Sequence, residues 1–346
     1  MQYVFDIETN GLLDQLTKIH CLVIKDINTE EVYSFRPDKV EEGLKLLSNA
    51  KELIGHNVIK FDIPAIRKVF PEWKTNAKIT DTIVCSRLIW SNIKETDFQN
   101  YNRYGFDPKM IGSHSLKAWG LRLNLHKGKF GETTDWKEWS AEMQKYCEQD
   151  VEVNFLFYNV ISQKNYSQEA LKLEHDFAMI IDMQEKMGFC FDVEAANKLL
   201  VNLTKRRIEL EEELQLAFPA WTKDLGEFIP ARDNKTKGYI KGIAINKYET
   251  VNFNPNSRHH IADRLKDKYN WKPKVFTPDG KPQVDESVLG KLEYPEAKLL
   301  AEYLLVQKRI SQLAEGNSAW LKLEKHNKIY GSVMTNGAVT GRCTHM

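Results

Sequence analysis

Asp6 and Glu8 interrupt an otherwise apolar run, Tyr-Val-Phe-Asp-Ile-Glu-Thr, close to the start of the chain. Side chains on a strand alternate faces, so both carboxylates point one way while Phe5 and Ile7 point the other. Two like charges that close repel unless a cation lies between them. Oxygen-only donors suit a hard divalent ion, magnesium or manganese. An isolated Asp-x-Glu pair reads more simply as a strand end in water, so the other acids decide. Asp62 follows a short apolar strand in Gly-His-Asn-Val-Ile-Lys-Phe-Asp, with Asn57 upstream. Tyr146 and Asp150 are four residues apart in Tyr-Cys-Glu-Gln-Asp, a spacing that shares one helix face. Taken singly, Asp62 is a helix cap and Tyr146 a half-buried aromatic. Taken together, four acids and a phenol in this order define a candidate metal centre. His56 reads as a satisfied strand-end histidine and Asp81 as the cap of its own helix.

The elements that must position these groups follow from periodicity and caps. Strands are expected at 3–7, 20–26 and 31–36, the last two joined by a turn at Ile27-Asn28-Thr29. A helix over 40–50, a strand at 53–56 and a helix over 62–70 follow. Then come a strand end at 79–81 and a helix at 82–90. A helix capped by Ser113 runs to 122, and a long one starts at Ser140 and runs to 163. Adjacent strands followed by strand–helix alternation predict an α/β sheet covered on both faces. Beyond residue 165 the pattern turns helical, over 168–186, 193–218, 256–268 and 294–322. Residues 219–252 read as irregular, a hairpin turns at Asp279-Gly280, and 328–334 reads as a strand. The domain boundary is expected near 163–168, giving domains 1–165 and 166–346.

The 346 residues carry a net charge of +1 and are 42% hydrophobic, a composition that permits two ordinary cores. No run approaches the roughly 20 apolar residues of a membrane helix, and an early Asp6 argues against a signal peptide. No membrane partner is expected. Five scattered cysteines without a Cys-x-x-Cys pair read as reduced thiols in a cytosolic setting. Charge is uneven: residues 232–274 hold 11 Lys/Arg and 4 Asp/Glu, interleaved with aromatics. That mixture suits a surface that tracks phosphates.

Phe-Asp-Ile-Glu-Thr, His-Asn-Val-Ile-Lys-Phe-Asp and Tyr-Cys-Glu-Gln-Asp resemble the three motifs of the DEDD 3′–5′ exonucleases. The Tyr-x-x-x-Asp spacing marks the DEDDy branch. Further on, Gly-Phe-Cys-Phe-Asp, the stretch 253–265, the stretch 275–289, Gln307–Leu321 and Tyr330–Arg342 resemble successive landmarks of family A DNA polymerases of podovirus-type phages. The resemblance implies an RNase H-like (DnaQ-like) exonuclease domain with a mixed sheet, followed by a mainly helical thumb and the first part of the palm. It implies that Asp6, Glu8, Asp62 and Asp150 hold two Mg2+ or Mn2+ ions, with Asp6 bridging and Asp62 serving the outer ion. Such a pair, about 3.5–4 Å apart, stabilises the attacking and leaving oxygens of phosphodiester hydrolysis. Tyr146 and Glu8 would orient the attacking water. Thr9, Leu12 and Asn57 would meet the terminal nucleotides, Leu12 as a wedge between the last two bases. Thr340, Gly341 and Arg342 would lie near the primer–template backbone.

The palm and finger motifs that hold the polymerase metals and the incoming nucleotide are absent from this sequence. The resemblance therefore leads to the expectation of a second polypeptide that supplies them, in preference to a shortened chain. The best-studied phage polymerase of this kind carries a longer thumb insertion that recruits thioredoxin; the short 219–252 segment speaks against that partner. The expected partners are a single-stranded 3′ end and a primer–template duplex, in the cytoplasm of an infected bacterium. Two other readings stand beside this one: a non-catalytic clamp for DNA, and an RNA-trimming DEDD nuclease.

Overall fold

The structure, a computed structural model, describes residues 1–125 and 135–345. Its first element, β1 (Gln2–Thr9), is the central strand of a five-stranded sheet. With β2 (Ile19–Asp26), β3 (Val32–Phe35), β4 (Glu52–Gly55) and β5 (Lys78–Asp81), the order is β3-β2-β1-β4-β5. β1, β2 and β3 pair antiparallel, whereas β4 and β5 join β1 in parallel, so the sheet is mixed as expected. The tight turn after β2 is built by Asp26, whose side chain accepts the N–H groups of Asn28 and Thr29.

Alternation along β1 divides the core. Tyr3, Phe5 and Ile7 join a cluster with Leu44 and Leu47 of α1 (Val40–Ser48) and Ile63 and Ile66 of α2 (Asp62–Val69). Val4 faces the opposite layer, with Cys21, Val23 and Ile54. That layer is covered by the long helix α6 (Ala141–Gln163), which presents Met143, Cys147, Val151 and Phe155 every fourth residue. Between these lie α3 (Thr82–Ile89), α4 (Ile93–Gln99) and α5 (Leu116–Arg122). Trp119 of α5 stacks on Phe157 of α6 at 3.9 Å between centroids. The fully buried Asp97 of α4 is matched by a two-bonded Arg122, at 3.0 and 2.7 Å. A buried charge needs such a partner to survive in low dielectric.

Several boundaries differ from the sequence-based expectation. The cap of α5 is Ser115, not Ser113, because its hydroxyl reaches Ala118 N–H while Ser113 is engaged with Ser115 itself. Residues 219–252 are not wholly irregular: β6 (Trp221–Phe228) and β7 (Ile245–Val251) form an antiparallel hairpin. The run expected as one helix over 294–322 ends at Ile310, continues as a π-turn to Glu315, and breaks at Gly316. The strand expected at 328–334 is two short ones, Lys328–Ile329 and Val333–Met334, which belong to different sheets.

Contacts divide the chain into two compact units, Met1–Gly188 with the stretch from Tyr330, and Phe189–Ile329. The first therefore takes in α7 (Gln168–Met187), which packs Ala178 on Ile59 and Val84. The second unit is mainly helical. Its core joins Leu210 and Leu214 of α8 (Val193–Ala217), Ile261 and Leu265 of α9 (Arg258–Tyr269), and Leu300, Tyr303 and Ile310 of α10 (Pro295–Ile310). The Tyr303 hydroxyl, fully buried, donates to Glu211 and accepts from Asn256. No helix among the described residues is long and apolar enough to cross a membrane.

Candidate active site

Asp6 and Glu8 pair with Val23 and Cys21 across β1 and β2, and the register slips immediately after Glu8. A bulge at that point re-aims the chain at the end of a strand. Both carboxylates are half-buried. One ligand atom each from Asp6, Glu8 and Cys147 lie within 4.8 Å of one another. Tyr146 and Asp150 arrive from α6, one helical turn apart. Burial raises the Tyr146 phenol well above its ordinary range, and the charges of Asp150, Glu8 and Asp6 push it further. Its phenol therefore keeps its proton beside three carboxylates. Trp136 meets the Tyr146 ring edge-on at 6.2 Å between centroids.

Asp62 does not act as a cap. Phe61 occupies the cap position of α2, and Asp62, 3% exposed, lies buried at the first helical turn. Burial pushes its carboxyl up to about 7, with Asp81 adding to the rise and Asp150 contributing last; the N–H groups of Asp62 and Ile7 oppose it. Asp150 is also buried, at 7% exposure. Asp62 and Asp150 stand outside the tightest three-residue group, yet each feels the other's charge. Concentrated, partly desolvated oxygen donors, with Asp62 held in its protonated form by burial, are the electrostatic complement of a hard divalent cation. The donor set therefore fits Mg2+ or Mn2+.

The segment carrying Asp62 is held by groups that sequence inspection undervalued. Asp81 does cap α3, its carboxylate accepting from Ile83 N–H at 3.1 Å. The same carboxylate also accepts from Asn57 N–H at 2.7 Å and Ile59 N–H at 3.1 Å. Asn57 is thereby kept at φ 68°, a left-handed conformation that asparagine tolerates better than most residues. Just before it, a Cβ on Gly55 would stand 2.0 Å from the Val58 side chain, so only glycine fits. His175 of α7 accepts Asp81 N–H on Nε2 and donates from Nδ1 to Leu171. Lys60 closes the other side, on Glu185 at 2.7 Å and on the Val333 carbonyl at 3.1 Å. His56 sits at the strand end as expected, with Nδ1 2.9 Å from the Thr82 hydroxyl.

Of the residues assigned to substrate, Thr9 is buried and donates to Gly11 O at 2.8 Å. Leu12 is 75% exposed in the turn that follows. Arg342 is exposed, in the turn that joins Val333–Met334 to Thr344–His345. Cys147 was missed, although Cys-x-x-Asp on a helix already places it on the face of Asp150. Nothing in the spacing pointed to Asp81 as the anchor of a loop 20 residues upstream.

The POL domain of Pol1 from M. smegmatis, solved as a complex with DNA primer-template and dNTP, superposes with a TM-score of 0.64. The match covers 99% of this chain and 51% of that one at 13% identity, and so speaks for the fold alone. The DNA-directed DNA polymerases of Escherichia phage T7 and Enterobacteria phage T3 are each 34% identical over 432 aligned positions, covering 99% of this chain. The chain is homologous to these phage DNA polymerases over nearly its whole length, and spans 61% of theirs. The alignment is longer than the chain, so the relatives carry insertions that it lacks. No protein-family profile matches it.

Proposed function

We propose that this chain is the 3′–5′ exonuclease and thumb portion of a phage family A DNA polymerase, that it trims single-stranded 3′ ends, and that it releases 5′-nucleotides. The carrying observation is the gathering of Asp6, Glu8 and Tyr146, with Asp150 and Asp62 close by, at one end of β1. Homology to DNA polymerases along 99% of the chain supports DNA as the substrate. Asp6, Glu8, Asp62 and Asp150 would hold two Mg2+ or Mn2+ ions, which supply Lewis-acid stabilisation and a more acidic water. Tyr146, protonated throughout the working pH range, donates its O–H to the attacking water, and Glu8 accepts from it. Leu12, Thr9 and Asn57 grip the terminal nucleotide. A frayed or mismatched end reaches the site at lower unpairing cost than a matched one, which is the basis of proofreading.

The RNase H-like character of the sheet domain belongs to the same reading, supported by its mixed order and by acids on the central strand. Polymerisation is proposed to require palm and finger residues that these 346 residues do not hold, with Arg342 beside the primer–template duplex. Thioredoxin is not proposed as a partner. The test is release of nucleotide from a 3′-labelled single strand in Mg2+ or Mn2+. Asp6→Ala combined with Glu8→Ala should abolish release with the fold intact. Persistent release in that double variant, or none in the parent chain, refutes the proposal.

A further inference from the structure

Magnesium chemistry has no use for sulfur, yet one of the three donors nearest together in this centre is a thiol. Cys147 Sγ lies 3.4 Å from the Asp6 carbonyl oxygen and 3.6 Å from Asp6 Oδ2. It is fully buried on the sheet-facing side of α6, and Asp6, Glu8 and Cys147 present one ligand atom each within 4.8 Å of one another. A tetrahedral zinc site with Zn–O of roughly 2.1 Å and Zn–S of roughly 2.3 Å separates its O and S ligands by about 3.6 Å. The observed Sγ–Oδ2 distance therefore matches what a shared thiophilic cation requires, with little movement of α6 against β1. Soft thiolate selects such ions over Mg2+, which accepts oxygen alone.

We propose that Asp6, Glu8 and Cys147 form a binding site for thiophilic divalent cations, Zn2+ or Cd2+, and that its occupancy blocks the hard-cation centre built on the same carboxylates. On binding, a metal–sulfur bond forms, the S–H bond breaks, and the thiol proton passes to solvent; nothing is oxidised or reduced. The inference rests on the reading of Asp6 and Glu8 as cation ligands, and its test does not depend on nuclease activity. The full chain carrying Cys190→Ser and Cys343→Ser, which removes the exposed thiols, is titrated with Cd2+ while the ultraviolet thiolate-to-cadmium charge-transfer band is followed. Three variants are then compared in that background: Cys147→Ser, Asp6→Asn and Cys21→Ser.

The band is expected to saturate in the parent, to vanish in Cys147→Ser, to weaken in Asp6→Asn and to survive in Cys21→Ser. Cd2+ affinity should fall at least about tenfold in Cys147→Ser while Mn2+ affinity changes by less than about threefold. Unchanged melting temperatures identify variants that keep their fold. No band in the parent, or a band that outlives Cys147→Ser, overturns the inference even if the nuclease is fully active. A band with the expected losses in a chain that releases no nucleotide upholds this site and removes the nuclease reading alone.

Discussion

A single phenol and a single buried acid carry most of the chemistry that can be checked at the residue scale. Removing the Tyr146 hydroxyl leaves the ring against Trp136 but takes away the proposed donor to the attacking water. Tyr146→Phe should therefore lower nucleotide release by roughly 10- to 100-fold with stability unchanged, read by single-turnover kinetics and thermal melting. Asp62 makes the opposite kind of prediction. Its carboxyl is raised to about 7 in the folded chain, far above an unfolded aspartate. A raised acid favours the fold while it is protonated. In metal-free protein that contribution is complete below about pH 4 and is lost as pH climbs through 7. The loss amounts to a few kcal/mol on the order expected for such a shift. Divalent cations remove the penalty, so Mn2+ should raise the melting temperature more at pH 8 than at pH 5. Asp62→Asn should abolish that difference.

At the scale of elements, the loop between β4 and α2 determines where Asp62 points. Its geometry depends on Gly55, on the left-handed Asn57, and on the Asp81 carboxylate that gathers two of its N–H groups. A β-branched side chain at φ 68° is strained, whereas glycine is not. Asn57→Val should cost about 1–2 kcal/mol in a denaturant titration. Asn57→Gly should stay close to the parent in stability. If Asn57→Gly nevertheless loses nuclease activity, the side chain itself contacts substrate, as proposed. Helix α7 supports the same loop through His175 and Glu185, so it folds with the first unit and not with the helices that follow it. Periodicity placed α7 within a residue of its observed span, yet could not assign it to a core, because its contacts are to residues about 100 positions away.

Over the whole molecule, charge is balanced in sum and uneven in place. The 232–274 stretch holds an excess of +7, but folding neutralises part of it within the second unit. Lys268 pairs with Glu296 and Arg264 with Asp267, while Lys247 rests over the Phe228 ring. The remaining cations are the ones available to phosphates. Duplex affinity should fall at least tenfold between about 50 and 200 mM salt if a handful of phosphates are contacted. Reversing Lys235, Lys237 and Lys241 to glutamate should flatten that dependence, measured by fluorescence anisotropy. A salt-independent affinity would remove the second unit from the DNA-binding surface.

Much of the fold was legible in the sequence because its signals are local. Alternation in β1, the four-residue step of Met143, Cys147, Val151 and Phe155, and the cap at Ser140 each depend only on near neighbours. The same locality placed Tyr146 and Asp150 on one face and put Asp6 and Glu8 together. Only tertiary structure decided that Cys147 lies against Asp6, that Asp81 holds Asn57, and that α7 and the stretch from Tyr330 complete the first unit. Those outcomes arise where β1, β5, α6 and α7 meet, and a contact between segments many residues apart leaves no periodic trace in either one.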